Sequence, residues 1–303
     1  MKIGIIGAGA MGCLYACMLC EKNDVTLLDV DSETVDVVNK DGVFMREANS
    51  EKEDIFKPKA ALSGGFDGKF DLIIVFVKDT ATAAALKSNR SLIGEHTVLL
   101  SLQNGMGNYE IMEEFADTKQ ILLGTTKHNC VTLGRGKIYH SGAGVTHIGS
   151  PADKGVAVKK VYEVFNNSGI ETEICEDVKR LLWEKLFINM TINSITALLD
   201  CHINVIADDK NASAVAGELI KEAVAVAKCD GEEFDYDTVY NDVITTAEKL
   251  GTGKASMCQD IENGRKTEID FINGAVIRLG KRHGIATPYH SMITSLIHAM
   301  ENL

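Results

Sequence analysis

Continuous apolar runs of strand length mark the first half of the chain. They lie at residues 2–6, 25–28, 71–77 and 97–102. Runs without polar alternation are typical of parallel strands that are buried on both faces. Helical patterns lie between these runs, so the order of elements predicts an α/β fold with a Rossmann-type, doubly wound parallel sheet. Shorter β-like segments follow from about 121 to 150, and residues 171–175 are predicted to form a last strand.

Beyond residue 175 the pattern becomes helical throughout. The predicted helices span 176–200, 211–228, 236–250, 256–282 and 288–302. We therefore predict two domains, a dinucleotide-binding Rossmann domain at 1–175 and an all-helical C-terminal domain at 176–303.

A glycine-rich turn joins the first predicted strand to the first predicted helix. Its sequence, GAGAMG, has the spacing G-x-G-x-x-G. Such glycines allow a tight turn and a close approach of the backbone to a pyrophosphate, which the helix N-terminus attracts. Because the motif has the expected strand before it and helix after it, we predict dinucleotide binding, with an empty structural turn as the alternative. The residues expected to hold the nucleotide are Gly7, Ala8, Gly9, Ala10, Met11 and Gly12.

Acidic residues follow the second predicted strand. They are Asp29, Asp31 and Glu33, and no Arg or Lys is close to them in sequence. A carboxylate at this point accepts hydrogen bonds from the adenosine ribose of NAD and repels the 2′-phosphate of NADP. We therefore expect NADH to be favoured over NADPH. Lys78, at the end of another strand, is the cation that would favour NADPH instead.

A polar stripe runs along the predicted helix 176–200. Lys185, Asn189 and Asn193 are spaced by four and share one face, whereas most neighbouring positions are apolar. Burial lowers the pKa of an amine and suits it to proton transfer near neutrality. The alternative is a lysine that extends to solvent beside two surface amides.

Two further polar residues lie where they would complete a site. Asn104 follows the strand at 97–102, and open α/β sheets bind ligands at the carboxyl ends of their strands; the alternative is a plain Asn-Gly turn. Glu268 is a carboxylate that would pair with Lys185, or else a solvated helical charge.

Composition narrows the class of protein. The net charge of −12 argues against a nucleic-acid surface, and no apolar run is long enough to span a membrane. The N-terminal apolar run is explained by the strand and the glycine turn, so we expect a cytoplasmic protein. The eight cysteines are scattered, which indicates reduced thiols. Cys17 and Cys20 form a C-x-x-C motif with Cys13 one turn earlier; we interpret these thiols as small hydrophobes facing the sheet, with redox or metal chemistry as the alternative. No metal site is predicted.

These motifs together resemble the ketopantoate reductase family (2-dehydropantoate 2-reductases). The resemblance runs nearly end to end, and its segments are GAGAMG at 7–12, QNGMGN at 103–108, EKLFIN…N at 184–193 and RKTEIDFINGAV at 265–276. It implies NAD(P)H-dependent reduction of 2-dehydropantoate to (R)-pantoate, a step of pantothenate biosynthesis, in a cleft between the two domains. It also implies a homodimer formed through the helical domain.

The resemblance assigns roles residue by residue. Lys185 matches the proton donor to the C2 ketone oxygen, and Asn189 and Asn193 match amides that hold the substrate hydroxyl and orient the lysine. The other matched positions are cofactor or substrate contacts: Asn104 and Glu268 for both, Ser256 for the substrate carboxylate, and Cys130 near the nicotinamide.

Two positions depart from the family pattern. Val30 stands where NADPH-using members usually have a basic residue, which favours NADH. This departure is also compatible with an alternative function, that of an NAD-dependent D-2-hydroxyacid dehydrogenase acting on substrates such as D-mandelate. A catalytically silent nucleotide-binding regulator is an alternative of another class, against which the intact Lys185 and Asn189 argue. His290 stands where the family commonly has Asn; we interpret it as a helix-cap or surface histidine, with an altered pocket contact as the alternative.

Overall fold

The protein divides into two compact units. The computed structural model describes residues 1–48, 50–152 and 155–303. The sheet unit comprises Met1–Gln103 and Asn108–Val178, and the helical unit comprises Asn104–Gly107 and Lys179–Leu303. The predicted fold class, a doubly wound sheet followed by an all-helical part, is confirmed.

The strands form two sheets. In chain order the strands of the described residues are β1 Lys2–Ile6, β2 Asp24–Asp29, β3 Val43–Glu47, β4 Glu53–Phe56, β5 Lys59–Leu62, β6 Leu72–Val75, β7 Val98–Ser101, β8 Ile121–Thr126, β9 Asn129–Gly134, β10 Lys137–Gly142, β11 Thr146–Gly149 and β12 Thr172–Ile174. The main sheet has the order β12-β11-β8-β7-β6-β1-β2-β5, and the second sheet has the order β4-β3-β10-β9. Of the strands within 121–150, β8 and β11 thus extend the main sheet, and β9 and β10 belong to the second sheet.

The central strands of the main sheet are parallel and buried on both faces. β1 pairs in parallel with β2 and β6, and β7 continues the parallel order to β8. Ile3, Ile5, Ile74 and Leu100 have no exposed surface, as the continuous apolar runs predict. The carboxyl ends of these strands therefore lie along one edge of the sheet.

Five α-helices are described in the sheet unit. They are α1 Ala10–Cys20, α2 Ser32–Asp41, α3 Thr82–Ser88, α4 Asn108–Glu113 and α5 Val156–Asn167. In α1, Cys13 and Cys17 are buried and Cys20 is partly buried, and all three are free thiols. Burial raises the pKa of Cys13 to about 12, so its thiol stays protonated. These cysteines pack as small hydrophobes, as interpreted from the sequence.

Seven helices follow. They are α6 Val178–Leu199, α7 Val205–Asp208, α8 Lys210–Cys229, α9 Tyr236–Leu250, α10 Ser256–Glu262, α11 Asn273–His283 and α12 Pro288–Met300. Residues of α6 form much of the core of the helical unit. Among them, Trp183 is fully buried, and its indole N–H donates to Asp230 (3.2 Å). Within the described residues, no helix combines the length and apolar character needed to cross a membrane.

The prediction of one helix over 256–282 is wrong. α10 ends at Glu262, Gly264 adopts the left-handed conformation (φ 61°), and α11 begins only at Asn273. Glycine ends helices in this conformation because it has no Cβ to clash. Thr267 then turns away from the helical path, since its backbone N–H and its hydroxyl both donate to Glu301 Oε1 (2.7 Å each).

Candidate functional site

The three motif glycines have different surroundings at the end of β1. Gly7 has φ 104°, and a Cβ there would lie 2.9 Å from the backbone nitrogen of Val77. A Cβ on Gly12 would lie 1.8 Å from the carbonyl oxygen of Gly7, whereas a Cβ on Gly9 would meet nothing within 4 Å. Gly7 and Gly12 therefore make the turn possible, and Gly9 leaves its outer side open.

The N-terminus of α1 is suited to an anion. Among the described residues, no side chain caps this helix and no acidic residue lies in its first turn. Its first backbone N–H groups and its positive dipole end are thus directed at the open side of the turn. These residues fit a dinucleotide pyrophosphate, which helix N-termini of this type bind.

Asp29 ties this turn to the end of β2. Its Oδ2 accepts from the backbone N–H of Ala8 (2.6 Å), and its Oδ1 accepts from that of Asp31 (3.0 Å). Each carboxylate oxygen can accept more than one hydrogen bond. Asp29 therefore keeps acceptor capacity for a ribose hydroxyl while it holds the turn against β2.

Sequence reasoning missed a cation at this point. Arg135 Nε lies 2.8 Å from Asp31 Oδ2, and its Nη2 lies 3.1 Å from Glu33 Oε2. This guanidinium, followed by the Thr34 hydroxyl, holds the pKa of Asp31 below its usual value. Lys78 follows β6, and β1 lies between β6 and β2 in the sheet. The absence of a nearby base in sequence was thus a poor guide, because a base 104 positions away pairs with these carboxylates.

The polar stripe on α6 is present in the structure. Lys185 and Asn189 are half-buried, and Asn193 is 8% exposed. The turns between them carry the fully buried Met190 and the nearly buried Leu186, which fix the helix in the core. Within the part of the chain that the structure describes, no hydrogen bond reaches the side-chain amide of Asn193. Its polar atoms are therefore available to a ligand.

Asn104 and Glu268 come together in the helical unit. Asn104 Nδ2 donates to Glu268 Oε2 at 3.4 Å. The segment that carries Asn104 packs on the segment after α10: Met106 N donates to Phe271 O (2.8 Å), and a Cβ on Gly105 would lie 2.2 Å from that same oxygen. Two predicted site residues 164 positions apart are thus neighbours. Glu268 lies between α10 and α11 rather than on a helix, which corrects the prediction.

The positions of Ser256 and Cys130 do not test their predicted roles. Ser256 is the exposed first residue of α10. Cys130 lies on β9 opposite His140, and burial raises its pKa to about 12, which makes it a neutral thiol. Their roles stay predictions, as does the pairing of Glu268 with Lys185.

The interpretation of His290 as a cap or surface residue is wrong. Its side chain is fully buried in α12, and its Nε2 donates to Leu219 O (3.0 Å). Its Nδ1 lies 3.3 Å from Asn273 Nδ2, which also donates to Met190 O on α6 (3.0 Å). Desolvation lowers the pKa of His290 to about 4, so the ring is neutral. The start of α12 is instead capped by Glu222, which accepts from the backbone N–H of His290 (3.1 Å).

A chain of two histidines and a carboxylate also escaped sequence reasoning. His140 Nδ1 lies 2.8 Å from Glu47 Oε2, and His140 Nε2 lies 3.0 Å from His128 Nδ1. The Tyr15 and His128 rings are nearly perpendicular, with their centroids 6.1 Å apart. Desolvation, followed by the charge of His140, lowers the pKa of His128. No sequence motif signals this chain, because its members lie on β3, on β10 and in the β8–β9 connection.

One group of potential metal ligands is found among the described residues. It consists of Asp200, Cys258 and Glu262. Lys254 is ion-paired with Glu262 and with Asp200. The lysine already supplies the positive charge that a cation would bring.

Comparison with known proteins gives a consistent result. Residues 3–153 match the family described as "Ketopantoate reductase PanE/ApbA", and residues 177–301 match "Ketopantoate reductase PanE/ApbA C terminal". The chain is 34% identical to a 2-dehydropantoate 2-reductase of Pyrococcus horikoshii over 305 residues, covering 100% of this chain and 98% of the relative. It is 33% identical to one of Streptococcus pyogenes serotype M3 over 307 residues, covering 99% and 98%. A solved structure of D-mandelate dehydrogenase with NADH and anilino(oxo)acetate superimposes with a TM-score of 0.94 at 32% identity, covering 100% of this chain and 99% of that one.

Proposed function

Because this chain belongs to the ketopantoate reductase family, we propose that it reduces 2-dehydropantoate to (R)-pantoate with a nicotinamide dinucleotide as hydride donor. The observation that carries the proposal is the stripe of Lys185, Asn189 and Asn193 on a helix that is otherwise packed in the core. The names of the curated relatives support the same substrate.

The residues suggest how the reaction proceeds. Residues 7–12 and Asp29 would hold the dinucleotide, which when bound supplies the hydride to the C2 carbon of the keto acid. Negative charge then develops on the ketone oxygen, where the ammonium of Lys185 stabilises it and donates the proton that completes the alcohol. The amides of Asn189 and Asn193 hold a substrate hydroxyl, and the Asn104–Glu268 contact orders two further polar groups.

We propose NADH as the preferred cofactor. Asp29, Asp31 and Glu33 place three carboxylates against one guanidinium at the end of β2, and this excess of negative charge disfavours a 2′-phosphate. The D-mandelate dehydrogenase that superimposes on this chain is described with NADH.

A second candidate function is an NAD-dependent D-2-hydroxyacid dehydrogenase. The TM-score of 0.94 to D-mandelate dehydrogenase over the whole chain favours it. A steady-state comparison of 2-dehydropantoate, 2-ketoisovalerate and benzoylformate, each with NADH and with NADPH, separates the two. The highest kcat/KM with 2-dehydropantoate supports our proposal, and the highest with benzoylformate supports the dehydrogenase. Turnover of none of the three would indicate a silent nucleotide-binding protein.

The family resemblance also leads us to propose a homodimer. Light scattering on the purified chain tests this, since a dimer has twice the mass of the 32.8 kDa chain.

A further inference from the structure

The guanidinium of Arg135 lies at the start of α2, beside the acidic end of β2. It contacts Asp31 at 2.8 Å and Glu33 at 3.1 Å. We propose that Arg135 is a specificity-determining residue: its guanidinium is placed to bind an adenosine 2′-phosphate, but its ion pairs with Asp31 and Glu33 prevent this contact. Two carboxylates, rather than the lack of a cation, would then set the preference for NADH. This inference rests on the dinucleotide binding that the proposed function includes.

The backbone around Arg135 is fixed by the second sheet. Arg135 lies in the connection between β9 and β10, and the following Gly136 accepts a hydrogen bond from Phe44 N on β3 (2.8 Å). Gly136 has φ 64°, and a Cβ there would come within 3.1 Å of Val37 on α2. The connection therefore lies directly against α2, so Arg135 starts from a defined position rather than from a free loop.

A continuous set of contacts links this arginine to the phosphate-binding turn. Ala8 N donates to Asp29, Asp31 N donates to the other oxygen of Asp29 (3.0 Å), and Asp31 contacts Arg135. In folds of this type the ribose hydroxyls of the nucleotide lie at the acid that ends the second strand. A 2′-phosphate would extend from that ribose, and Val30, which is 84% exposed, has no charge to offer it. Arg135 is the cation that the structure places next to these carboxylates.

The contacts that hold Arg135 are of a kind that an anion can replace. About half of the side-chain surface of Arg135 is exposed, and Glu33 is exposed further. Exposed ion pairs are weak because solvent and salt screen them. A phosphate accepts two parallel hydrogen bonds from a planar guanidinium. Its binding to Arg135 would be strongest if the competing carboxylates were neutral.

The test compares nucleotide binding by the whole chain and three variants. Asp31 also caps α2 by accepting from Glu33 N (3.2 Å) and from the Thr34 hydroxyl (2.7 Å), and asparagine caps as well as aspartate does. The double variant Asp31→Asn/Glu33→Gln thus removes two charges and keeps the cap. Titration calorimetry with NADH and NADPH, and with AMP and adenosine 2′,5′-bisphosphate, measures the affinity without any keto acid.

We expect the double variant to bind NADPH at least about tenfold more tightly than the parent chain, with NADH affinity changed less than about threefold. Adding Arg135→Gln to the double variant should abolish this gain. Lys137→Gln, added to the double variant instead, removes one positive charge close to Arg135 in sequence. It should leave the gain in NADPH affinity unchanged. The proposal is overturned if the double variant binds NADPH no better, or if the gain survives without Arg135. It is also overturned if Lys137→Gln removes the gain equally, since the effect would then be one of net charge.

The outcome is separable from that of the proposed function. Variants that bind the nucleotides as expected but reduce no keto acid refute the reductase assignment and leave the role of Arg135 intact. Failure of the parent chain to bind either dinucleotide refutes both.

Discussion

Acid should destabilise the helical unit through one buried imidazole, that of His290. Its ring has no exposed surface, and it is held neutral between Leu219 O and Asn273 Nδ2. Desolvation lowers its pKa from the ordinary 6.5 to about 4. The unfolded chain therefore takes up a proton at a higher pH than the folded chain does. The contribution of His290 to stability is full above its unfolded pKa and is lost progressively as the pH falls toward its folded pKa.

The size of the effect follows from the two pKa values. Between about pH 7.5 and about pH 5, this one group should lower the free energy of unfolding by about 2 kcal/mol, with a limit of about 3 kcal/mol at lower pH. Other groups titrate in the same range, so the quantity to measure is the difference between the parent chain and His290→Gln. Glutamine keeps a donor for Leu219 O but cannot be protonated, so the variant should lack this part of the pH dependence.

Urea unfolding followed by tryptophan fluorescence measures this loss. The sequence contains one tryptophan, and Trp183 is buried in the same unit as His290, so the signal reports that unit. His298→Gln on the same helix is the matched control, because Glu301 followed by Asp270 raises the pKa of His298. Its stabilising effect is present at low pH and is lost as the pH rises, so the control should show the opposite sign. Equal pH dependence in the parent chain and in His290→Gln would refute the reasoning.

Three further predictions concern the site. Lys185→Ala should lower kcat by about 10²- to 10⁴-fold while calorimetry shows unchanged dinucleotide binding; the exposed neighbour Glu184→Gln is the control, and an unchanged kcat removes the proton-donor role. Gly12→Ala places a Cβ 1.8 Å from Gly7 O, so it should abolish measurable dinucleotide binding and lower the free energy of unfolding by about 2 kcal/mol; normal NADH affinity would contradict this. Asn193→Leu should raise the KM for the keto acid, because the substituted side chain cannot hydrogen-bond a substrate hydroxyl, and an unchanged KM would argue against substrate contact.

Local features of the site were predictable from sequence because they depend on short-range geometry. The turn at 7–12 needs only glycines between a strand and a helix, and its steric demands are met within a few residues. The stripe on α6 needs only a spacing of four on a helix. Neither feature depends on a tertiary contact.

Other features depend on contacts between distant segments, and these were missed. Arg135 reaches Asp31 because β10 pairs in parallel with β3, an arrangement that no local pattern indicates. His290 is buried against Leu219 and Asn273 on other helices, and no local pattern indicates these contacts. The apolar spacing over 256–282 is typical of one helix. The left-handed Gly264 and the contact of Thr267 with Glu301 nevertheless interrupt it.

The polar residues of α6 show why the stripe is better explained by function than by stability. Hydroxyls on the buried part of this helix bond to its own carbonyls: Thr191 to Phe187 O (2.8 Å), Ser194 to Met190 O (2.6 Å) and Thr196 to Ile192 O (2.7 Å). Among the described contacts the amide of Asn193 makes no such bond, although Asn193 is almost as buried as these residues. Its amide atoms are not among the fully buried side-chain atoms that lack a partner in the described residues, so they keep contact with solvent and need no protein partner for folding. A ligand hydroxyl at this position would replace water as the partner of the amide, so we expect Asn193 to contribute to ligand binding rather than to folding.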